Sequence, residues 1–225
     1  MKKEKHWNDY NGDPAWRMFK IMAEFADGFD RMEKFGPCIS IFGSARTTED
    51  NPYYKLTVHV AEKLVKEGYG IITGGGPGIM EAGNRGAHQA KGKSVGLHIV
   101  LPHEEGANKY VDHNRIFFFR YFFARKVMFT KYAQAFIYMP GGFGTMDELF
   151  EIMTLVQTGK IDRVPIILMG KSYWSGLMDW IKGTMLKEKN INAKDLDLFH
   201  ITDDPDEVVK VIKAFYKKEP LKPNF

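Results

Sequence analysis

Ala135-Phe136-Ile137-Tyr138-Met139-Pro140-Gly141-Gly142-Phe143-Gly144-Thr145-Met146-Asp147-Glu148 is the stretch that decides the fold. Its first five residues are an unbroken apolar run. A glycine-rich turn follows, and residues 145–157 then read as a helix. A continuous apolar strand passing through such a turn into a helix is the unit of a parallel sheet covered on both faces. Working outward, the unit recurs. Further strand-like runs lie at residues 38–43, 70–73, 94–101 and 164–169, with a short one at 198–201. Helical runs at 52–66, 78–91, 122–132, 173–187 and 205–217 alternate with them. This alternation predicts an α/β fold, a doubly wound Rossmann-like parallel sheet with helices on both faces.

The N-terminal segment stands apart. Asp13 suits a helix N-cap and Pro14 the first helical position. Met18, Met22, Phe25, Phe29 and Met32 then follow at helical spacing before Gly36-Pro37 ends the run. Residues 1–36 therefore read as a helical arm, with one face packed on the body or on another subunit. Residues 37–225 read as a single nucleotide-binding domain.

Composition narrows the function classes. The 225 residues are 44% hydrophobic and 27% charged, the balance of a globular chain rather than a disordered one. The net charge of +4 comes from 32 basic and 28 acidic side chains scattered along the chain. That favours small anions slightly and argues against nucleic acid as a partner. Cys38 is the only cysteine, set in an apolar run, and reads as a core residue. The most apolar segment, 116–123, is broken by Arg120 and is far shorter than the ~20 residues of a membrane span. The expectation is a cytoplasmic protein that meets no membrane.

In doubly wound sheets, ligands bind at the carboxyl ends of the strands. Three glycine-bearing turns fall there: Gly43-Ser44-Ala45-Arg46, Gly74-Gly75-Gly76-Pro77-Gly78, and Pro140 to Thr145. Glycine lets backbone N–H groups approach a phosphate, and a following helix adds its dipole. Ser44, Arg46, Gly75, Gly76, Gly141, Gly142, Gly144 and Thr145 are thus candidate nucleotide contacts. The familiar motifs fail nonetheless. The dinucleotide fingerprint would need glycine at Ile79 or Asp147, and a P-loop ending in Gly170-Lys171-Ser172 would need it at Pro165. The dispersed histidines show no metal-binding spacing, so neither a metal nor a cofactor is expected.

Pro140-Gly141-Gly142-Phe143-Gly144-Thr145-Met146-Asp147-Glu148 matches PGGxGTxxE and resembles the Lonely Guy family, the cytokinin riboside 5′-monophosphate phosphoribohydrolases, often labelled lysine decarboxylases. Gly74-Gly75-Gly76-Pro77-Gly78-Ile79-Met80-Glu81-Ala82 and Ala124-Arg125-Lys126-Val127-Met128 resemble two further elements of that family. The resemblance covers roughly residues 38–170, and the long N-terminal arm is similar to the longer bacterial branch. It implies hydrolysis of the N-glycosidic bond of a purine nucleoside 5′-monophosphate, AMP or a cytokinin nucleotide, by a homodimer or larger homo-oligomer. It further implies that residues 141–145 hold the phosphate, that Arg125 and Lys126 add positive charge, and that Glu148 is the catalytic carboxylate with Arg125 as its partner. Glu104, and more remotely Thr154, resemble substrate contacts. The chemistry is coherent: a carboxylate beneath the sugar stabilises oxocarbenium character and orients water.

Plainer readings stand beside these. Thr145-x-x-Glu148 is also a capping box, Glu81 and Arg85 have the spacing of a surface pair, and Arg125-Lys126 could be a solvated helix edge. The aromatic cluster at 117–123 reads most simply as core or subunit interface, with base stacking as the lesser alternative. A non-catalytic nucleotide or molybdenum-cofactor carrier would use the same anion site without a carboxylate. A pyridoxal enzyme would need a Schiff-base lysine that the sequence does not single out.

Overall fold

The computed structural model describes residues 14–101 and 106–225, so Asp13 and Glu104 lie outside the described residues. Seven strands form a single sheet: β1 (Cys38–Phe42), β2 (Gly70–Thr73), β3 (Ser94–Ile99), β4 (Ile116–Phe119), β5 (Ala133–Tyr138), β6 (Ile166–Met169) and β7 (Phe199–Thr202). All neighbours are parallel, in the order β4-β3-β2-β1-β5-β6-β7. The chain winds outward from β1 to β4, then crosses back to lay β5 on the other side of β1. That reversal opens a crevice above β1 and β5, the place where such sheets take ligands.

The helices are α1 (Pro14–Met32), α2 (Pro52–Lys66), α3 (Ile79–Gln89), α4 (Phe122–Tyr132), α5 (Phe143–Gln157), α6 (Lys171–Trp180) and α7 (Pro205–Tyr216). Local signals set several starts. The Asn51 side chain accepts from Tyr53 N–H ahead of α2, and Asp204 accepts from Asp206 N–H ahead of α7, each with proline at the first helical position. Successive residues of β1 feed opposite faces. Ile39 and Ile41 join Val60, Leu64, Ile79, Val208 and Ile212 under α2, α3 and α7. Cys38 and Phe42 join Met128, Phe129, Leu149, Ile152 and Trp174 under α4, α5 and α6. Burying each large side chain contributes roughly 1.5–3 kcal/mol, and Trp174 also donates its indole N–H to Met169 O (2.9 Å).

The structure departs from the sequence expectations at three places. The aromatic cluster contains a strand, β4, at the sheet edge, with Phe117 and Phe119 buried and Phe118 exposed. Four residues between a 3₁₀ turn and Arg120 are too short to announce a strand by periodicity. The helix expected from Thr145 begins at Phe143, and the one expected over 173–187 starts at Lys171 and passes into a π-helical turn, Ile181–Leu186. Finally, the apolar stripe of α1 is buried only in its second half. Gly28 packs on Met128, Phe25 meets Phe123, and Met32 is buried, whereas Trp16, Met18, Phe19 and Met22 are exposed. Nineteen residues give α1 a length of about 28 Å against about 16 Å for α4, so α1 outruns the helix it packs on. Among the described residues no helix is long and apolar enough to cross a membrane.

Candidate active site

The loops leaving β1, β2 and β5 are tied to one another. Ser44 N–H donates to Pro140 O (3.0 Å), Met139 N–H to Phe42 O (2.8 Å), and Ile79 N–H to Ser44 O (3.0 Å). Between them opens a cleft of about 620 Å³. Its polar lining is made by Ser44, Arg46, Gly142, Gly144, Thr145 and Glu148, and its apolar lining by Met80, Ile99, Leu101, Phe122 and Phe129.

Most of the polar lining is the start of α5, with Ser44 and Arg46 coming from the turn after β1. Gly142 O receives Thr145 N–H (3.0 Å) and Met146 N–H (3.1 Å), closing the first turn. The N–H groups ahead of them have no partner within the helix, and no acidic side chain sits in that turn. A phosphate at this end would meet unpaired donors and the positive end of the helix dipole. The structure removes the capping-box reading: the N-cap is Gly142, and no side chain caps the helix. Thr145 lies inside the first turn instead, its hydroxyl against Gly141.

Glu148, one turn further along, is 4% exposed and lines the cleft. Its Oε2 is buried without a hydrogen-bond partner among the described residues. Burial pushes its pKa up to about 7; Lys126 and Arg125 pull the other way, while Glu151 and Asp147 add to the rise. A buried carboxylate with an oxygen lacking a hydrogen bond is costly unless a ligand completes its surroundings. Its main chain is held from below, since the buried Tyr138 hydroxyl donates to Glu148 O (3.1 Å).

Arg125 comes from α4 and lies over the rings of Phe122 (5.1 Å) and Phe129 (5.8 Å). This places a cation among the aromatic lining residues, near enough to Glu148 to pull its pKa down. Its neighbour Lys126 turns elsewhere, pairing with Asp147 (2.7 Å) and Glu151 (2.8 Å) along an adjacent shallow groove on α5. Burial would lower the Lys126 pKa, but those bonds and the nearby carboxylates raise it overall.

Of the residues expected from sequence, the structure gathers Ser44, Arg46, Gly76, Arg125, Gly142, Gly144, Thr145 and Glu148 around one cleft. Gly141 lies behind Thr145. Gly75 sits beneath the surface, its carbonyl accepting from Asn108 N–H (2.7 Å) and Nδ2 (3.0 Å). The expected Glu81–Arg85 surface pair resolves differently: Glu81 accepts from Tyr54 (3.0 Å), and Arg85 pairs with Glu49 (2.6 Å). Sequence reading missed Met80 in the cleft lining and gave Phe122 only within a cluster read first as core or interface. It also missed Asn84, fully buried, which accepts from Thr73 (2.6 Å) and Asn108 (3.0 Å) and donates to Ser94 (3.0 Å) and Val95 O (3.2 Å). Gly83-Asn84, two poor helix formers together inside a helix, was the available signal.

With this geometry in place, known proteins can be compared. The family model described as "Possible lysine decarboxylase" matches residues 80–212. The chain belongs to that family. A cytokinin riboside 5′-monophosphate phosphoribohydrolase of Arabidopsis thaliana is 25% identical over 146 residues, 64% of this chain and 66% of that protein. Its counterpart from Oryza sativa subsp. japonica is 27% identical over 143 residues, 62% of this chain and 57% of that protein. The match thus spans two thirds or less of these relatives' own length. Among solved structures, the molybdenum cofactor carrier protein of Chlamydomonas reinhardtii superposes with a TM-score of 0.58 at 20% identity, over 81% of this chain and 99% of that one. The molybdenum cofactor binding protein of Rippkaea orientalis gives 0.56 at 18% identity, over 80% and 95%. At such identities the likeness is one of fold.

The family label implies pyridoxal phosphate, and the residues present do not fit it. No lysine lines the cleft among the described residues. The adjacent Lys126, paired with two carboxylates and shifted upward, stays protonated and is a poor Schiff-base nucleophile.

Proposed function

We propose that this protein hydrolyses the N-glycosidic bond of a purine nucleoside 5′-monophosphate, releasing free base and ribose 5-phosphate. The observation that carries the reading is Glu148. It is a buried carboxylate with a pKa near 7 and an oxygen lacking a partner, set one turn inside a helix whose open end suits a phosphate. Mere phosphate binding gives no reason for such a group.

In this reading the 5′-phosphate sits on the N–H groups of residues 142–144 and the Thr145 hydroxyl, with Ser44 and Arg46 at the mouth and Gly76 bordering the cleft on the β2 side; Gly75, expected as a contact, lies beneath the surface under Asn108. The purine lies along Met80 and Phe122, and the ribose rests over Glu148. Water adds at C1′ as the bond to the base breaks. The bonding electrons leave with the base, which gains a proton released from the water. Ionised Glu148 stabilises positive charge on the sugar and orients the water, while Arg125 stabilises charge on the departing base. Phosphate contacts supply remote binding energy for orientation. Lys126 acts through the acidic groups around Glu148. The protein works in the cytoplasm as a homodimer or larger homo-oligomer, with no nucleic-acid or membrane partner and no cofactor.

Purified protein incubated with AMP and with isopentenyladenosine 5′-monophosphate should release base and ribose 5-phosphate, separable by chromatography, and folded Glu148→Gln should not. Near-normal turnover in that variant would remove the mechanism. AMP binding without cleavage of any nucleoside monophosphate would favour the carrier reading, which the shared fold supports.

A further inference from the structure

The anion-binding end of α5 is backed by the start of α6. Gly170 packs on Pro140, so that a Cβ there would meet the proline ring at 3.0 Å. The Tyr53 hydroxyl meets Ser172 Oγ at 3.2 Å. Three residues into α6, the Tyr173 hydroxyl donates to Gly141 O. The α6 end is no rival anion site, because Asp203 Oδ1 already accepts from Gly170 N–H (2.8 Å) and Lys171 N–H (2.9 Å).

Tyr173 therefore reaches the phosphate turn from outside; Gly142 lines the cleft and Tyr173 does not. A trans peptide is planar, and its N–H points opposite to its C=O. Holding the Gly141 carbonyl toward Tyr173 turns the Gly142 N–H the other way, into the cleft. Rotation of that peptide would present a carbonyl oxygen to the phosphate instead. The neighbouring carbonyl, Pro140 O, is likewise occupied by Ser44 N–H (3.0 Å). Two successive acceptors that would repel an anion are thus tied down from opposite sides, one by main chain and one by a single side-chain hydroxyl.

We infer that Tyr173 is a positioning residue for the phosphate turn: its hydroxyl fixes the Gly141–Gly142 peptide in the orientation that binds a 5′-phosphate. The inference rests on the proposed site at the start of α5. A half-exposed phenol donating to a carbonyl is an ordinary neutral hydrogen bond, so its loss should weaken phosphate-bearing ligands about fivefold. Ligands lacking the phosphate should be spared.

The test compares wild type, Tyr173→Phe and Tyr173→Leu for calorimetric affinity toward AMP and adenosine, alongside kcat and KM for AMP and the melting temperature. Tyr173→Phe keeps the ring and removes only the donor. The inference expects AMP affinity to fall about fivefold in both variants, adenosine affinity to hold, and the kinetic loss to fall on KM rather than kcat. If Tyr173→Phe binds AMP as wild type does, or weakens AMP and adenosine alike, the inference is overturned while the hydrolase reading stands on wild-type turnover. If wild type cleaves nothing but the AMP-selective loss appears, the positioning role stands and the hydrolase reading fails. Wild type binding AMP no better than adenosine overturns the inference, and the hydrolase reading is then decided by wild-type turnover alone.

Discussion

The turn after β2 and the turn after β5 have nearly the same composition and use their glycines in different ways. In the β5 turn, a Cβ added at Gly142 or Gly144 would meet nothing within 4 Å; these glycines border open space at the cleft. In the β2 turn, Gly75 (φ +72°) lies with its built Cβ 3.4 Å from Gly96 Cα. Gly78 (φ +68°) is wedged so that a Cβ would be driven into the Ser44 carbonyl. The carbonyls of Gly75 and Gly76 are taken by Asn108, which Asn84 holds in turn. Gly142 and Gly144 stand where a ligand can approach, whereas Gly75 and Gly78 stand where protein already does. Residues on the open side should therefore matter for ligand and catalysis, and residues on the filled side for stability.

Glu148→Gln should break that division most visibly if it is false. Turnover should fall by about 10²–10⁴-fold, the usual worth of such a group, while the fold gains stability at neutral and alkaline pH. An unfolded glutamate releases its proton near 4.5 and folded Glu148 near 7. Between those values only the folded state holds the proton, so stability falls as pH rises across that window and is level above it. The burden removed by Gln is on the order of 3 kcal/mol at pH 8 and vanishes below about pH 4.5. Melting curves of both proteins at pH 4 and pH 8 read the difference directly. By the same shift, kcat/KM for AMP should decline as pH drops through about 7, because the base must be ionised. A pH profile level from 5 to 8 would deny Glu148 that role.

The filled side should respond in the opposite sense. Gly78→Ala combines a positive φ with a backbone collision and should cost about 3 kcal/mol, read as a drop of roughly 6–12 °C in melting temperature. Asn84→Ala removes three buried hydrogen bonds and a part-buried one to Asn108 and should cost about 1–3 kcal/mol. In both variants the protein that remains folded should bind inorganic phosphate with an affinity within about twofold of wild type. A larger loss of phosphate binding than of stability would place the β2 turn on the ligand side after all.

Sequence reading located the sheet and both glycine turns, because strands buried on two faces and glycine punctuation are local signals; Glu148 is singled out only by the resemblance, since its spacing alone also reads as a capping box. Which glycines were open was not legible, since that depends on what packs against them: Met80 over Gly74 and Gly76, and Ser44 against Gly78. Adjacent positions were equally opaque. Arg125 and Lys126 read as one basic element, yet successive helix residues diverge by about 100°. One faces the cleft, and the other is held by Asp147 and Glu151. Strand β4 escaped because an edge strand of four residues is fixed by pairing with β3, not by its own pattern.

Gly144→Ala is the mildest change and the one that separates the two explanations most sharply. Alanine is a better helix former than glycine by roughly 0.5–1 kcal/mol, and Gly144 lies inside α5 with space around the new methyl. If the residue served only the fold, Gly144→Ala would raise the melting temperature slightly and leave ligands alone. The open-turn account expects the same small gain in stability together with weaker AMP binding, because the methyl occupies space at the cleft beside the N–H groups that would meet the phosphate. The loss should be about three- to tenfold, the effect of disturbing one or two hydrogen bonds to a charged group, and adenosine should be unaffected. Gly78→Ala should show the reverse pattern, a lower melting temperature with phosphate affinity retained. Two alanines at two glycines in similar turns would then move opposite observables, a result that glycine content alone could not produce.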